Sequence, residues 1–340
     1  MLIDFRSDTV TRPTPAMKKS MLEAKLGDDV FGEDPTVNAL QHKMSKMFGF
    51  DDALFCPSGT MTNQIAIKCH TQPGDEVICD ERSHIYQYEG GGIAMNSGCS
   101  VKLLEGDLGR LHSSMIEHAV NDKSDVHKAY SSLVSLENTC NRGGGACYDF
   151  SGFAAIKKVC IQHDLKLHLD GARLFNAIIA KRENPKAYGK IFDSISICLS
   201  KGLGAPVGSV LLGDKKLIDK ARRIRKVFGG GMRQAGILAV AGIYALENHV
   251  KRLATDHEHA KALADILKSK SFVGEIYPVE TNIIIFEIAG KYKSAKNFTH
   301  SLEKKDILMI PMSPTFVRMV THLDISEKMI QKTIKEIKKL

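Results

Sequence analysis

The sequence predicts an α/β chain: a large domain, residues 1–246, on a mostly parallel seven-stranded sheet covered by helices, then a small C-terminal α+β domain, residues 247–340. Three observations predict it. From Asp51 to Gly213 short, β-branched apolar runs alternate with amphipathic helical patterns, as strands buried on both faces read. After Met232 that alternation gives way to a long helical pattern followed by paired strands. Several of the strand ends also run directly into polar residues of catalytic type, where an open α/β sheet presents its ligands.

The first helix with both ends marked follows Asp34-Pro35, a cap residue and an N1 proline; Val37, Leu40, Met44 and Met47 make its apolar face, and Gly49 ends it. The sheet strands are expected at Ala53-Cys56, Glu76-Cys79, Val101-Leu104, Leu133-Leu136, Leu165-Leu169, Ser194-Leu199 and Ser209-Leu212. One long helix should run from Met232 past Lys251 toward Leu267. Ile276-Tyr277 should then pair with Asn282-Glu287, and Ile307-Ile310 with Phe316-Val320. A helix from Ser326 to Lys339 closes the chain, its terminal lysines matching the helix dipole.

Composition excludes several classes. With 43% hydrophobic residues in a 340-residue chain, a substantial core can form. Basic side chains outnumber acidic ones, 47 to 39, but are spread along the chain, and the cluster Arg222 to Lys226 reads first as a helix face. A nucleic-acid or anionic-surface binder using that cluster is the rival from another class, with salt-sensitive binding and no cofactor as its signature. No apolar stretch approaches the roughly 20 residues of a membrane span, and Met1-Leu2-Ile3-Asp4-Phe5-Arg6 lacks a signal-peptide core, so a cytoplasmic protein is expected. The eight cysteines contain no C-x-x-C pair and the thirteen histidines no H-E-x-x-H, so neither disulfides nor a metal site is expected.

Three strand ends carry the chemistry. In Leu167-His168-Leu169-Asp170-Gly171-Ala172-Arg173 an acid ends a buried strand; Asp170 could hold a cation, cap a helix or pair with a protonated ring nitrogen. In Ile197-Cys198-Leu199-Ser200-Lys201-Gly202-Leu203-Gly204 a partly desolvated lysine opens a glycine-rich loop, which suits an amine nucleophile; a surface turn is the commonplace alternative. In Phe55-Cys56-Pro57-Ser58-Gly59-Thr60 a strand enters a helix through hydroxyl and glycine residues, a phosphate cup or an ordinary cap. Together, a lysine, an acid and a phosphate cup are what pyridoxal phosphate asks of a protein.

Over nearly its whole length the chain resembles the L-threonine aldolases of the fold-type I pyridoxal-phosphate enzymes. The resemblance rests on Phe5-Arg6-Ser7-Asp8-Thr9, Gly27-Asp28-Asp29-Val30-Phe31-Gly32, Pro57-Ser58-Gly59-Thr60-Met61-Thr62-Asn63-Gln64 and Leu136-Glu137-Asn138-Thr139. It continues through His168-Leu169-Asp170-Gly171-Ala172-Arg173, Ser200-Lys201-Gly202, Gly229-Gly230-Gly231-Met232-Arg233 and Arg318-Met319-Val320-Thr321-His322. It implies a mixed sheet and a cofactor held by Lys201 as a Schiff base, with Asp170 on the pyridine nitrogen and His84 stacked on the ring. Ser58, Gly59 and Thr60 would hold the phosphate, and Ser200, Arg173 and Arg233 would belong to the cofactor's surroundings. Ser7, Arg173 and Arg318 would bind the carboxylate of an amino-acid substrate. The implied reaction is retro-aldol cleavage of a β-hydroxy amino acid such as threonine or allo-threonine, with elimination by another pyridoxal-phosphate lyase as the alternative. His84 would be the base on the hydroxyl and His127 a second contributor, although His127 also reads as a solvated loop residue. A homotetramer with shared active sites is implied as well, the loop ending at Arg233 reaching a neighbour's cofactor.

The chain departs from the family pattern at Phe31, where tyrosine is usual, at Cys140, where histidine is frequent, and at Lys128, where an aromatic is usual. These bear on the hydroxyl side of the pocket and leave threonine against allo-threonine preference open.

Overall fold

A computed structural model describes all residues, 1–340. Its strands in chain order are β1 (Ile3–Asp4), β2 (Asp52–Cys56), β3 (Glu76–Asp80), β4 (Ser100–Leu104), β5 (Ser131–Glu137), β6 (Lys166–Gly171) and β7 (Ser194–Cys198). β8 (Ser209–Gly213), β9 (Val273–Ile276), β10 (Ile283–Ile288), β11 (Ile307–Leu308), β12 (Ile310–Pro311) and β13 (Phe316–Val320) follow. The seven strands expected between residues 51 and 213 all form, and they join in one sheet of order β2-β8-β7-β6-β5-β3-β4. β3, β4, β5, β6 and β7 run parallel, and β8 lies antiparallel between β7 and β2.

The sheet is buried because both of its faces carry helices. β2 ends in four buried residues and β3, β7 and β8 are buried throughout, which is why their sequences lack polar alternation. The helix Pro35–Phe48 starts where Asp34 accepts N–H bonds from Thr36 and Val37 and stops at Gly49, whose φ of 74° is left-handed. Its Val37, Leu40, Met44 and Phe48 enter a core of 43 buried residues that also takes Leu167, Leu169, Ile195 and Ile197 from the sheet. Each such side chain contributes about 1.5–3 kcal/mol, and Leu169→Ala would cost about 2–5 kcal/mol.

A second core of 20 residues lies over an antiparallel sheet of order β12-β13-β10-β9. It takes Ala260, Leu263 and Leu267 from the helix Leu253–Lys268 and Ile330 and Ile337 from Glu327–Lys338, which Ser326 caps. Ile3 and Phe5 also belong to it, because β1 pairs in parallel with β11.

Two expectations about the C-terminal part are corrected. The helical pattern after Met232 is two helices, Gly236–Asn248 and Leu253–Lys268, broken where buried His249 turns its Nδ1 to the Leu203 carbonyl at 2.7 Å. The run Ile307–Ile310 is divided as well: β11 serves β1, and only β12 pairs with β13. No helix is long and apolar enough to cross a membrane.

Candidate functional site

The site begins at the carboxyl edge of the large sheet, where β7 leads to Lys201 and β6 to Asp170 and Arg173. Ser7 and Thr9 arrive from the N-terminal arm, and Arg318 from β13 with Ile310 and Pro311 from β12. They enclose a cavity of about 380 Å³ whose lining also includes His84, Tyr88, Glu137 and Asn141. The cavity therefore lies where the two cores meet.

The large-sheet wall fits pyridoxal phosphate. Ser58 Oγ accepts the Met61 N–H at 3.2 Å, while the N–H groups of Gly59 and Thr60 have no protein acceptor at the start of the helix Gly59–His70. Gly59 must be glycine, since a Cβ there would lie 2.6 Å from Cys198 Sγ. Lys201 Nζ sits 3.7 Å from that same sulfur and pairs with no carboxylate, so the helix start and the amine flank one point of β7. Asp170 is 2% exposed at the end of β6; its Oδ1 accepts from Ala172 N at 3.1 Å and its Oδ2 from Asn63 Nδ2 at 2.9 Å. Buried and already accepting two hydrogen bonds, this carboxyl is suited to a cationic ring nitrogen.

His84 starts a short helix, and its backbone N–H donates to Glu137 Oε2 at 2.7 Å. Its Nδ1 meets Glu89 Oε1 at 3.0 Å, while Nε2 has no protein partner. Ring and carboxylate atoms of His84, Glu89 and Asp170 lie within 4.8 Å of one another, a spacing that would admit a cation, and these are also residues of the cofactor wall. Burial works against charge on His84, but the Glu89 hydrogen bond and the Asp170 charge prevail, so its pKa lies above the ordinary 6.5. Glu137 is pushed up to about 7 by burial and by Asp170.

The opposite wall is cationic. Arg173 gives Nε and Nη2 to the two oxygens of Asp8, both at 2.7 Å, and its Nη1 donates to Asn141 Oδ1 at 3.3 Å. Arg318 shares that Asn141 oxygen through Nη1 at 3.1 Å and reaches the Arg6 carbonyl at 3.1 Å, leaving a buried Nε without a partner. Burial would raise Asp8, but the Arg173 guanidinium holds it down to about 2. Burial, followed by the Arg173 charge, draws Arg318 down to about 10, still cationic at neutral pH. The two guanidinium groups thus share an amide oxygen, only Arg173 holds a carboxylate, and the unpaired charge of Arg318 calls for an anion. Ser7 Oγ accepts from Thr9 N at 3.2 Å and from its hydroxyl at 2.8 Å, so the Ser7 proton is free for that anion.

Of the residues singled out in the sequence, Ser7, His84, Arg173, Lys201 and Arg318 line the cavity, and Asp170, Ser58, Gly59, Thr60 and Ser200 surround its sheet edge. His127 does not line it: its side chain is 89% exposed on a loop, beside Asp125. Arg233 bonds Asp28 at 3.0 Å, and Phe31, 74% exposed, lines a separate depression with Arg222, Arg225 and Gly231. Cys140 is buried, its thiol pushed well up by burial and by Glu137, and it donates to the Glu137 carbonyl at 3.1 Å. Sequence reasoning missed Asp8, Asn63, Glu89 and Asn141. Asp8 and Asn63 stood inside quoted motifs, whereas Glu89, before Gly90-Gly91-Gly92, gave no signal.

Residues 4–291 match the family model described as beta-eliminating lyase. The chain is 41% identical over 337 residues to low-specificity L-threonine aldolase 1 of Arabidopsis thaliana, covering 98% of this chain and 94% of that protein. It is 40% identical to the low specificity L-threonine aldolase of Escherichia coli K12, covering 97% and 96%. Among solved structures, a Leishmania major threonine aldolase superposes with a TM-score of 0.86 at 22% identity, over 99% of each chain. A Sphingomonas wittichii serine palmitoyltransferase superposes at 0.75 and 15% identity, over 99% of this chain and 86% of that one, so the fold is the shared feature there.

Proposed function

From the premise that this chain belongs to the beta-eliminating lyase family and groups with its L-threonine aldolases, we propose that it cleaves L-threonine or L-allo-threonine to glycine and acetaldehyde with pyridoxal phosphate. The observation that carries this is a guanidinium that pairs with no carboxylate, Arg318, across a cavity from an unpaired lysine and a histidine whose Nε2 is free. Bound cofactor supplies the electron sink for a bond broken at Cα.

The protein's own residues do the rest. Lys201 Nζ carries the cofactor, Asp170 holds its ring nitrogen, and the Gly59 and Thr60 N–H groups hold its phosphate. Arg318 and Ser7 bind the substrate carboxylate, which fixes how Cα and Cβ face the ring. Arg173, already engaged with Asp8, lends charge and shape to that subsite more than a free fork. His84 Nε2 takes the β-hydroxyl proton while the hydroxyl oxygen becomes the aldehyde carbonyl and the Cα–Cβ bond opens. His127 and Arg233 act, in this reading, only through a neighbouring subunit of a homotetramer. The exposed Phe31 beside the Arg233 loop is a surface that such assembly would cover. Residues 247–340 are taken as the small domain. All eight cysteines are free, which supports a reducing, cytoplasmic setting.

The test is product analysis. Purified protein given L-threonine or L-allo-threonine should release glycine and acetaldehyde in equal amounts; ammonia and a keto acid would instead assign it to elimination. Borohydride reduction should bleach a visible band and place the label on Lys201.

A further inference from the structure

Behind His84 lies a buried polar assembly that none of the roles above requires. The Glu89 side chain is 0% exposed, and three donors converge on it: Asn63 Nδ2 at 2.9 Å, Gln64 Nε2 at 2.7 Å and His84 Nδ1 at 3.0 Å. The same Asn63 Nδ2 donates to Asp170 Oδ2 at 2.9 Å. Carboxylates only accept, so the Asn63 amide must turn its NH2 to the two acids and its Oδ1 to His168 Nε2, 3.2 Å away.

That orientation propagates. His168 must carry its proton on Nε2, so its Nδ1 accepts from the Ser194 hydroxyl at 2.8 Å, and Ser194 in turn accepts from His70 Nε2 at 2.8 Å. Burial draws His168 down to about 3 and His70 down to about 4, so both are neutral links. The chain His70–Ser194–His168–Asn63 thus ends on two carboxylates, Asp170, which would hold the cofactor's ring nitrogen, and Glu89 behind His84. Such a network is rigid only when every member is satisfied, and here every named donor has an acceptor.

We propose that Glu89 is a positioning residue that keeps the proton of His84 on Nδ1, so that Nε2 faces the cavity as an acceptor, and that Asn63 locks this carboxylate to Asp170. The inference rests on the reading of His84 as the base. A carboxylate at Nδ1 leaves only one neutral tautomer, the one able to take a proton through Nε2. Asp170, Glu137 and Lys201 also face His84, so Glu89 is one of three acids that favour its protonated form, against one lysine. The arrangement therefore combines two effects: it sets the correct tautomer, and it requires a pH above His84's raised pKa before that tautomer is neutral.

The experiment is nitrogen NMR of protein labelled at histidine imidazoles, with and without cofactor, at a pH where His84 is neutral, with H84N to assign the signal. Wild type should show His84 as the Nδ1–H tautomer, and an Nε2–H signal would overturn the proposal without any variant having to fold. Glu89→Gln keeps an oxygen acceptor and removes the charge. It should preserve the tautomer and move the acid limb of kcat/KM to lower pH. Glu89→Leu should mix the tautomers and lower kcat roughly 10- to 100-fold with KM little changed, the scale seen when the outer partner of a metal-bound histidine is lost. An acid limb unmoved in Glu89→Gln would also overturn it. If threonine is not cleaved, the tautomer can still be read, so failure of that reaction and failure of this inference are separable.

Discussion

The two walls of the cavity are built on different principles. On the large-sheet side, Asp170, Glu89, Asn63 and His84 form a closed set of hydrogen bonds, and the free groups are few and specific: Lys201 Nζ, His84 Nε2 and the N–H groups of Gly59 and Thr60. Toward the arm and small sheet, one buried ion pair from Asp8 of the arm to Arg173 beyond β6, and one shared oxygen, Asn141 Oδ1 beyond β5, hold the wall, and Arg318 keeps an unused N–H. The first wall suits a resident group that never leaves; the second suits a substrate that must come and go. A cofactor wall gains from complete satisfaction, whereas a wall that binds an anion must keep donors open.

The largest effect should come from the cofactor wall's single nucleophile. Lys201→Ala should abolish the visible band and lower kcat by about 10⁴-fold or more, since no other amine lines the cavity. A variant that stays coloured after dialysis and still turns over would show that the wall works without covalent attachment. Asp8→Asn probes the other wall's fastening: it leaves Arg173 buried and half-paired, and should cost about 3–5 kcal/mol in denaturant unfolding. The wild-type pair also gives a pH signature. With Asp8 held at about 2 against an ordinary 3.8, its stabilisation, about 2 kcal/mol, is complete above pH 3.8 and is lost as pH falls through 2. An acid unfolding profile identical in wild type and Asp8→Asn would mean that the arm is fastened elsewhere.

How much of each wall could be read in the sequence follows from the same difference. Lys201, Asp170 and Gly59-Thr60 each sit at a strand end within a local string, and the strands announced themselves by apolar β-branched runs, so the cofactor wall's free groups were legible. Its buried bracing was not. Asn63 meets Asp170 across 107 residues and His70 meets Ser194 across 124, contacts that no local period encodes. The second wall depends on still longer closures: β1 joins β11 across the whole chain, which is why the run 307–310 has the pattern of one strand and forms two. The break after Asn248 was hidden for a similar reason, since it turns on His249 bonding a carbonyl from a distant loop. His127, Arg233 and Phe31 stand apart: none of them lines the cavity.

The smallest effect tests the second wall's division of labour between its two arginines. Arg173 spends its fork on Asp8, and Arg318 spends two N–H groups on neutral acceptors while its Nε stays free. Arg318→Ala therefore removes a cation that the neighbouring guanidinium already disfavours, and leaves only neutral oxygens behind. Its melting temperature should stay near wild type, while KM for threonine should rise roughly 10- to 150-fold, the equivalent of about 1.5–3 kcal/mol for a charged hydrogen bond. Arg318→Lys keeps the charge but loses the planar fork, and should recover only part of that affinity. Arg173→Ala should reverse the order, losing stability first, because Asp8 would be left buried and unpaired. If instead Arg318→Ala melts early with KM unchanged, the open donor is structural, and the contrast between a closed cofactor wall and an open substrate wall fails.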